Sequence, residues 1–376
     1  MPDATSAFGR NDGDPSSESV ALSTESRSGD CGMYRIETIT EDSQSVVFDC
    51  RPNEDVISAA FRNNVILLSS CREGGCATCK AECLDGRYDL KKCSVQALPS
   101  DEEEAGMILL CRTFPQSDLV ISLPYTHDRI SFGQVQSNWT SEIMLCQQVS
   151  SNVVRLVLNC LDPISGTSVA MPFLPGQYVD IEIPGTPLRR SFSMASLPGM
   201  VDMEFFIRLL PDGRFSCHLM RKAAVGQRLS LRGPAGGFML RDKGPPRPYC
   251  FVAGGTGLSP VLSMVRHLKT AGDRQPVLLL FGVTHRHELF CQDELRHLAE
   301  DMPNLSVDVS VMCPDGAWPG AGGTVVDLLR RHLAEADVKP EIYLCGPPAM
   351  IDRAVITALD SDIKKENIYF EKFFPS

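Results

Sequence analysis

The chain has 376 residues, of which 43% are hydrophobic and 22% charged, and a net charge of −11. That composition sets aside collagen-like and wholly disordered classes, and the length allows two or three domains with separate cores. No apolar run reaches the roughly 18 residues of a membrane-spanning helix and no basic-then-apolar leader opens the chain, so a cytoplasmic protein away from the membrane is expected.

Residues 1–32 hold six acidic and two basic side chains and almost no large apolar ones, which predicts a disordered extension. Residues 33–125 hold fifteen acidic and nine basic side chains, and the remainder is close to neutral. This sign opposes nucleic-acid binding and suits either solubility or docking to a basic face. From Met33 the pattern becomes regular. "YRIETIT" and "SVVFDC" read as strands, and "NEDVISAAFRNN" reads as a helix with Asn53 as N-cap and Val56, Ile57, Ala60 and Phe61 on one face.

"CREGGCATC" follows, at residues 71–79, within a chain of 15 cysteines. Disulfide frameworks belong to short secreted chains, and Cys146, Cys160, Cys217 and Cys250 fit core thiols. Zinc ribbons need two C-x2-C pairs, and no second pair follows. The spacing C-x4-C-x2-C with a distant fourth cysteine is that of a plant-type 2Fe-2S site. The metal ligands expected are therefore Cys71, Cys76, Cys79 and Cys111, the last after the apolar strand "ILL". Cys83 and Cys93 are nearer but sit in a strand leading away and in a lysine-rich stretch. Gly74 and Gly75 let backbone N–H groups approach the cluster. This module is expected to run over residues 33–125.

Residues 131–241 carry short strands, "VVRLVLNC", "QYVDIEI", "VDMEFFIRLL" and "RLSLRG", separated by Pro/Gly turns, which predicts an antiparallel barrel. "LRRSFSMAS" is expected between two of those strands, with Arg190 for a phosphate, Phe192 over a flavin ring and Ser193 hydrogen-bonded to it. "GRFSCHL" offers a second phosphate cradle, Gly213 and Ser216, at a turn into a helix.

After the proline-rich joint "RDKGPPRPY", residues 248–376 alternate strand and helix four times, the signature of a doubly wound parallel sheet. "FVAGGTGLSP" places Gly254, Gly255, Thr256 and Gly257 at a strand-to-helix turn where a pyrophosphate can rest on bare backbone. It is not the ordinary G-x-G-x-x-G fingerprint. "YLCGPP" ends the fourth parallel strand, with Cys345, Gly346 and Pro347 beside an expected nicotinamide. In "FGVTHRHELF", Glu288 would favour NADH and Arg286 would serve a 2′-phosphate.

With these motifs in this order, the chain resembles the reductase components of bacterial multicomponent oxygenases, in the ferredoxin–NADP reductase superfamily. "SSCREGGCATCKA", "YDLKKCSVQALP", "LPYTHDRISFG", "GGTGLSPV", "YLCGPPAMID" and "FEKFFPS" narrow the resemblance to methane monooxygenase reductases. The resemblance implies a β-grasp 2Fe-2S domain, a Greek-key FAD barrel and an NAD domain. It implies an oxidoreductase carrying electrons from NADH through FAD and the cluster to a di-iron hydroxylase, with a small regulatory protein as a second partner. Arg190, Ser191, Phe192 and Ser193 match the family's Arg-x-Tyr-Ser flavin motif, with Phe in place of Tyr. Gly213 and Ser216 match its second flavin contact, Gly254 to Gly257 and Cys345 to Pro347 its nicotinamide site, and Ser193 and Cys345 its catalytic positions. Residues 1–32 have no counterpart, so either they extend the family or Met33 is the start. A reductase for another di-iron monooxygenase, or for an aromatic-ring dioxygenase, would carry the same sites.

Overall fold

A computed structural model describes residues 32–69, 72, 74–75, 77–132, 138–241, 246–316 and 318–374. The expected extension and the ligands Cys71 and Cys76 lie outside the described residues.

The first module is a five-stranded mixed sheet. Its strands are β1 (Tyr34–Ile39), β2 (Ser45–Cys50), β3 (Lys80–Asp85), β4 (Met107–Leu109) and β5 (Leu119–Ser122), in the order β2-β1-β5-β3-β4. β1 and β5 are parallel, and the other pairs are antiparallel. The helix α1 (Val56–Arg62) packs against it and buries Val56, Ile57, Ala59, Ala60 and Phe61. The N-cap is Asp55 rather than Asn53. The Asp55 carboxylate accepts from the Ser58 N–H at 2.9 Å, satisfying one of the helix's open donors. Asn53 instead takes a left-handed conformation, φ 62°, in the preceding turn, which a short amide side chain tolerates.

The second module has seven strands, all in antiparallel pairs. They are β6 (Trp139–Ser150), β7 (Val153–Leu161), β8 (Ser168–Val169), β9 (Tyr178–Glu182), β10 (Arg189–Ser193), β11 (Asp202–Arg208) and β12 (Arg228–Ala235). Their order is β8-β7-β6-β12-β9-β10, with β11 on β7. Ile143, Leu156, Leu158, Ile181, Met203, Phe205 and Leu231 fill the interior. The flavin motif does not lie between strands: it is β10, paired with β9 so that Ser193 stands opposite Tyr178. Its strand character is obscured in the sequence because it opens on two charged residues, Arg189 and Arg190, that are half-buried beside the cavity. Cys160 and Cys250 are buried as expected, whereas Cys146 and Cys217 are half-buried.

In the third module β13 (Tyr249–Gly254), β14 (Val277–Val283), β15 (Leu305–Val311), β16 (Ala321–Gly322), β17 (Glu341–Gly346) and β18 (Ile368–Lys372) are all parallel, in the order β16-β15-β14-β13-β17-β18. Helices cover both faces, which explains the continuous apolar strands. Phe251, Ala253 and Phe281 face the side holding α2 (Leu258–Ala271) and α3 (Gln292–Asp301). Val252, Leu280 and Leu344 face α4 (Val325–Glu335) and α5 (Pro348–Asp360). The winding reverses between β13 and β17, so the carboxyl ends of these strands form the crevice where such sheets bind ligands. The outermost strand, β18, is absent from the sequence reading.

Residues 33–376 form one compact unit. Across the barrel–sheet seam, Arg266 on α2 is ion-paired with Glu204 on β11 at 2.7 Å and with Glu294 on α3. Ser263 Oγ donates to the Ser196 carbonyl at 2.7 Å. These bonds tie α2 to β11 and to the segment that follows β10. Among the described residues no helix is long and apolar enough to cross a membrane.

Candidate active site and cluster loop

A cavity of about 750 Å³ opens between the barrel and the carboxyl edge of the parallel sheet. From the barrel it is lined by Arg190, Ser191, Phe192, Ser193, Gly213 and Ser216. From the sheet side it is lined by Gly254, Gly255, Thr256 and Pro347. Two sequence-derived sets from different modules therefore line one cavity. Cys345, Gly257 and Gly346 do not line it; they stand one layer behind.

Their tight packing explains the glycines. A Cβ on Gly257 would lie 2.2 Å from the Cys345 carbonyl oxygen, and one on Gly254 would lie 2.5 Å from Met350 Sδ. Gly255 differs: its φ is 55° and nothing occupies the space a Cβ would take, so its backbone is bare toward a ligand. On the opposite wall Gly213 caps the helix Arg214–Arg221, and Ser216 Oγ accepts from the Leu210 N–H at 2.9 Å, fixing the turn. Phe192 stacks on Phe215, with ring centroids 5.1 Å apart. Ring stacking is thus available on β10 without a tyrosine hydroxyl.

At the inner end, Ser193, Cys345 and Glu371 meet. Glu371 on β18 is the register partner of Cys345 on β17. The Ser193 hydroxyl donates to the Glu371 carboxyl, whose Oε2 has no hydrogen-bond partner among the described residues. Burial pushes the Glu371 carboxyl up to about 8. The Cys345 thiol is also held well above its usual range, first by burial and then by Glu371, so it is a neutral, compact neighbour and not a nucleophilic thiolate. Glu371, Phe373 and Phe374 all line the cavity. The sequence reading missed them, and "IYFEK", three apolar residues followed by two charged ones, carries no strand alternation.

The bare Gly255 backbone, the stacking Phe192, and the buried Arg189 Nη1 and Glu371 carboxyl oxygen, neither with a hydrogen-bond partner among the described residues, suit a ligand that is anionic in its middle and flat at its end. A flavin and a nicotinamide nucleotide fit that description. Past the carboxyl end of β14, Glu288 lines the cavity and Arg286 does not. Glu288 accepts from the Thr284 and His285 N–H groups and from Asn152 Nδ2. Arg286 faces away toward Asp315, 3.6 Å distant.

Cys79 and Cys111 are 3% and 4% exposed and belong to one core cluster; the Leu110 N–H donates to the Cys79 carbonyl at 3.1 Å. Gly74, at φ 74°, sits where a Cβ would lie 2.8 Å from Cγ of Arg112, the residue after Cys111. The Cys93 segment also borders this loop, since the Ser94 N–H donates to the Gly74 carbonyl. Cys83 lies out along β3, opposite Ile121. Two buried thiols below a glycine-containing loop fit the donor set of a 2Fe-2S cluster.

Residues 39–116 match the 2Fe-2S iron-sulfur cluster binding domain, residues 142–240 the oxidoreductase FAD-binding domain and residues 251–355 the oxidoreductase NAD-binding domain. The chain is 56% identical to methane monooxygenase component C of Methylosinus trichosporium, over 80% of its own length and 87% of that protein. The chain belongs to the reductase components of multicomponent oxygenases. This reductase is also 35% identical to the toluate 1,2-dioxygenase electron transfer component of Pseudomonas putida, over 91% and 99% of the two chains. It is 34% identical to the propane 2-monooxygenase reductase component of Mycolicibacterium goodii, over 87% and 94%. Among solved structures it is similar to an Amycolatopsis cytochrome P450 reductase, at a TM-score of 0.75 and 26% identity over 90% of this chain and 99% of that one. The ferredoxin reductase of a carbazole 1,9a-dioxygenase follows at TM-score 0.69 and 27% identity, over 91% and 99%. This reductase is an oxidoreductase with 2Fe-2S, FAD and NAD domains in that order, as its composition of modules led us to expect.

Proposed function

We propose that this reductase takes a hydride from NADH onto FAD and delivers the electrons through a 2Fe-2S cluster to the di-iron hydroxylase of a methane-oxidising system in the cytoplasm. The observation that carries the reading is the 56% identity to a methane monooxygenase component C, against 31–35% for relatives serving propane, phenol and aromatic acids. The modules run over residues 33–125, 131–241 and 248–376.

FAD supplies the conversion between two-electron and one-electron chemistry, and the protein supplies placement. Arg190, Ser191, Phe192, Ser193, Gly213 and Ser216 would hold the flavin. Gly254, Gly255, Thr256, Gly257, Cys345, Gly346 and Pro347 would form the nicotinamide site. Phe192, Phe373 and Phe374 line the cavity and would shield the bound cofactors from water, and Ser193 orients the buried Glu371 carboxyl. Cys71, Cys76, Cys79 and Cys111 would ligate the cluster. The partners are a di-iron hydroxylase and a small regulatory protein, drawn to the acidic first module.

The test is NADH-driven turnover with purified hydroxylases. Methane oxidation with a methane monooxygenase hydroxylase, at kcat/KM above that with phenol or propane hydroxylases or a ring dioxygenase, supports the reading. A higher value with one of the others would reassign the partner.

A further inference from the structure

We propose that Arg72 is a positioning residue that docks the cluster loop onto the flavin strands and thereby sets the rate of electron transfer from flavin to cluster. The inference rests on the functional reading above, in which Arg72 directly follows a cluster ligand and β10 holds the flavin.

Arg72 is a described residue of the first module's cysteine loop that meets the barrel. Its Nη1 lies 3.8 Å from Oδ2 of Asp180 on β9, and the two side chains are only 18% and 12% exposed. Oδ1 of the same carboxylate accepts from Ser191 Oγ at 2.6 Å, and Ser191 lines the flavin cavity. One carboxylate thus joins the residue after Cys71 to the candidate flavin motif.

An aromatic ring completes the joint. The Arg72 guanidinium carbon lies 5.1 Å from the centroid of Phe61 on α1, and that of Arg232 on β12 lies 5.4 Å from the same centroid. The first module therefore presents a ring shared by two cations, one from each module. Phe61 packs in turn on Tyr178 and Ala235 of the barrel. Tyr178 lines the cavity on its other side, and its hydroxyl faces Arg72. Tyr178 thus stands between the cavity and Arg72 of the cysteine loop.

Arg72 holds this place at a local cost. Its φ is 54°, a left-handed conformation that a non-glycine residue keeps only where its surroundings fix it. Its Nε is buried with no hydrogen-bond partner among the described residues. A surface ion pair added for stability alone requires neither feature. The step served is simple in its balance: one electron leaves the reduced flavin, which is oxidised, and enters the oxidised cluster, which is reduced. No atom crosses between the modules, so distance and packing are what the protein can control.

The experiment uses the full-length holoprotein as wild type, Arg72→Met, Arg72→Lys and Arg232→Met. Rapid mixing with NADH separates flavin reduction from the later transfer to the cluster, and iron and flavin contents are measured alongside. Arg72→Met should slow the internal transfer by on the order of tenfold while flavin reduction stays within about twofold of wild type. Arg72→Lys should recover part of the rate, because it keeps the charge but loses the planar fork. Arg232→Met approaches the same ring from the barrel and should slow the same step without touching the cysteine loop. Amide exchange should rise in α1 and β9 of Arg72→Met, an effect read independently of turnover. Internal transfer at the wild-type rate in both methionine variants would overturn the proposal. So would loss of iron from Arg72→Met together with unchanged transfer in Arg232→Met, since Arg72 would then serve only cluster assembly. A wild-type protein lacking flavin or cluster would instead overturn the functional reading, a separate result.

Discussion

Cys345 and Glu371 face each other in register on adjacent parallel strands, and the hydroxyl of Ser193 reaches the same carboxyl from the barrel. Barrel and sheet thus converge on one buried carboxyl at the inner end of the cavity. With its proton held up to about 8 by burial, this group is a neutral hydrogen-bond donor over most of the physiological range.

That raised value has a consequence for stability. The folded chain keeps the Glu371 proton where the unfolded chain, with a carboxyl near 4.5, has released it. Its contribution is therefore fully present at low pH and is lost as pH rises to about 8. In flavin-stripped protein, wild-type Tm should fall across this window relative to Glu371→Gln, which should remove much of the slope. Parallel Tm profiles for the two proteins would contradict the assignment.

Gly257→Ala should disable the nucleotide module. The added Cβ meets backbone, the Cys345 carbonyl oxygen at 2.2 Å and the Gly346 nitrogen at 2.9 Å, and backbone cannot rotate away. Overpacking of this kind costs about 3 kcal/mol. Denaturant titration should show the loss, and NADH-driven flavin reduction should fall steeply while flavin absorbance is retained. Wild-type stability and coenzyme affinity in this variant would show that the turn relaxes freely.

The elements most legible in the sequence are those whose partners are local or whose burial is complete. Phe251, Val252 and Ala253 announce a doubly covered strand, and the cysteine spacing announces a cluster before any contact is known. Strand β18 was not legible, because it pairs in parallel with β17 more than 20 residues earlier and its five residues do not alternate apolar with polar. Glu371 was missed with it. Arg72 was hidden for a related reason: its partners Asp180 and Phe61 lie in different modules, and its own sequence neighbourhood speaks only of cysteines. The misplacement of the N-cap at Asn53 is a choice between two polar residues in one turn, decided by which carboxylate or amide reaches the Ser58 N–H.

Cys111→Ala should lose most of its iron, whereas Cys83→Ala should keep it. Cys111 is buried with Cys79 in one cluster, and Cys83 stands out along β3. Cys93→Ala is the sharper control, because its segment borders the same loop through Ser94 and Gly74. It too should retain iron; depletion there with retention in Cys111→Ala would exchange the fourth ligand.

Coenzyme choice should favour NADH. Arg286 points toward Asp315 and away from the cavity, so Arg286→Ala should change kcat/KM for either coenzyme less than about twofold. Glu288 is an acidic group on the cavity wall at that edge, already oriented by Thr284, His285 and Asn152. Steady-state kinetics with both coenzymes check this. A kcat/KM for NADPH equal to that for NADH, and selectively damaged by Arg286→Ala, would make Arg286 a phosphate clamp.

The central claim is that one chain carries hydride chemistry and single-electron delivery in series. An anaerobic titration of the purified protein with NADH, followed by visible absorbance, tests it most directly. Each NADH supplies two electrons, the flavin accepts two and the cluster one, so bleaching of both chromophores should end at about 1.5 equivalents. A colourless protein, or bleaching that ends at one equivalent with no cluster band changed, would contradict the account.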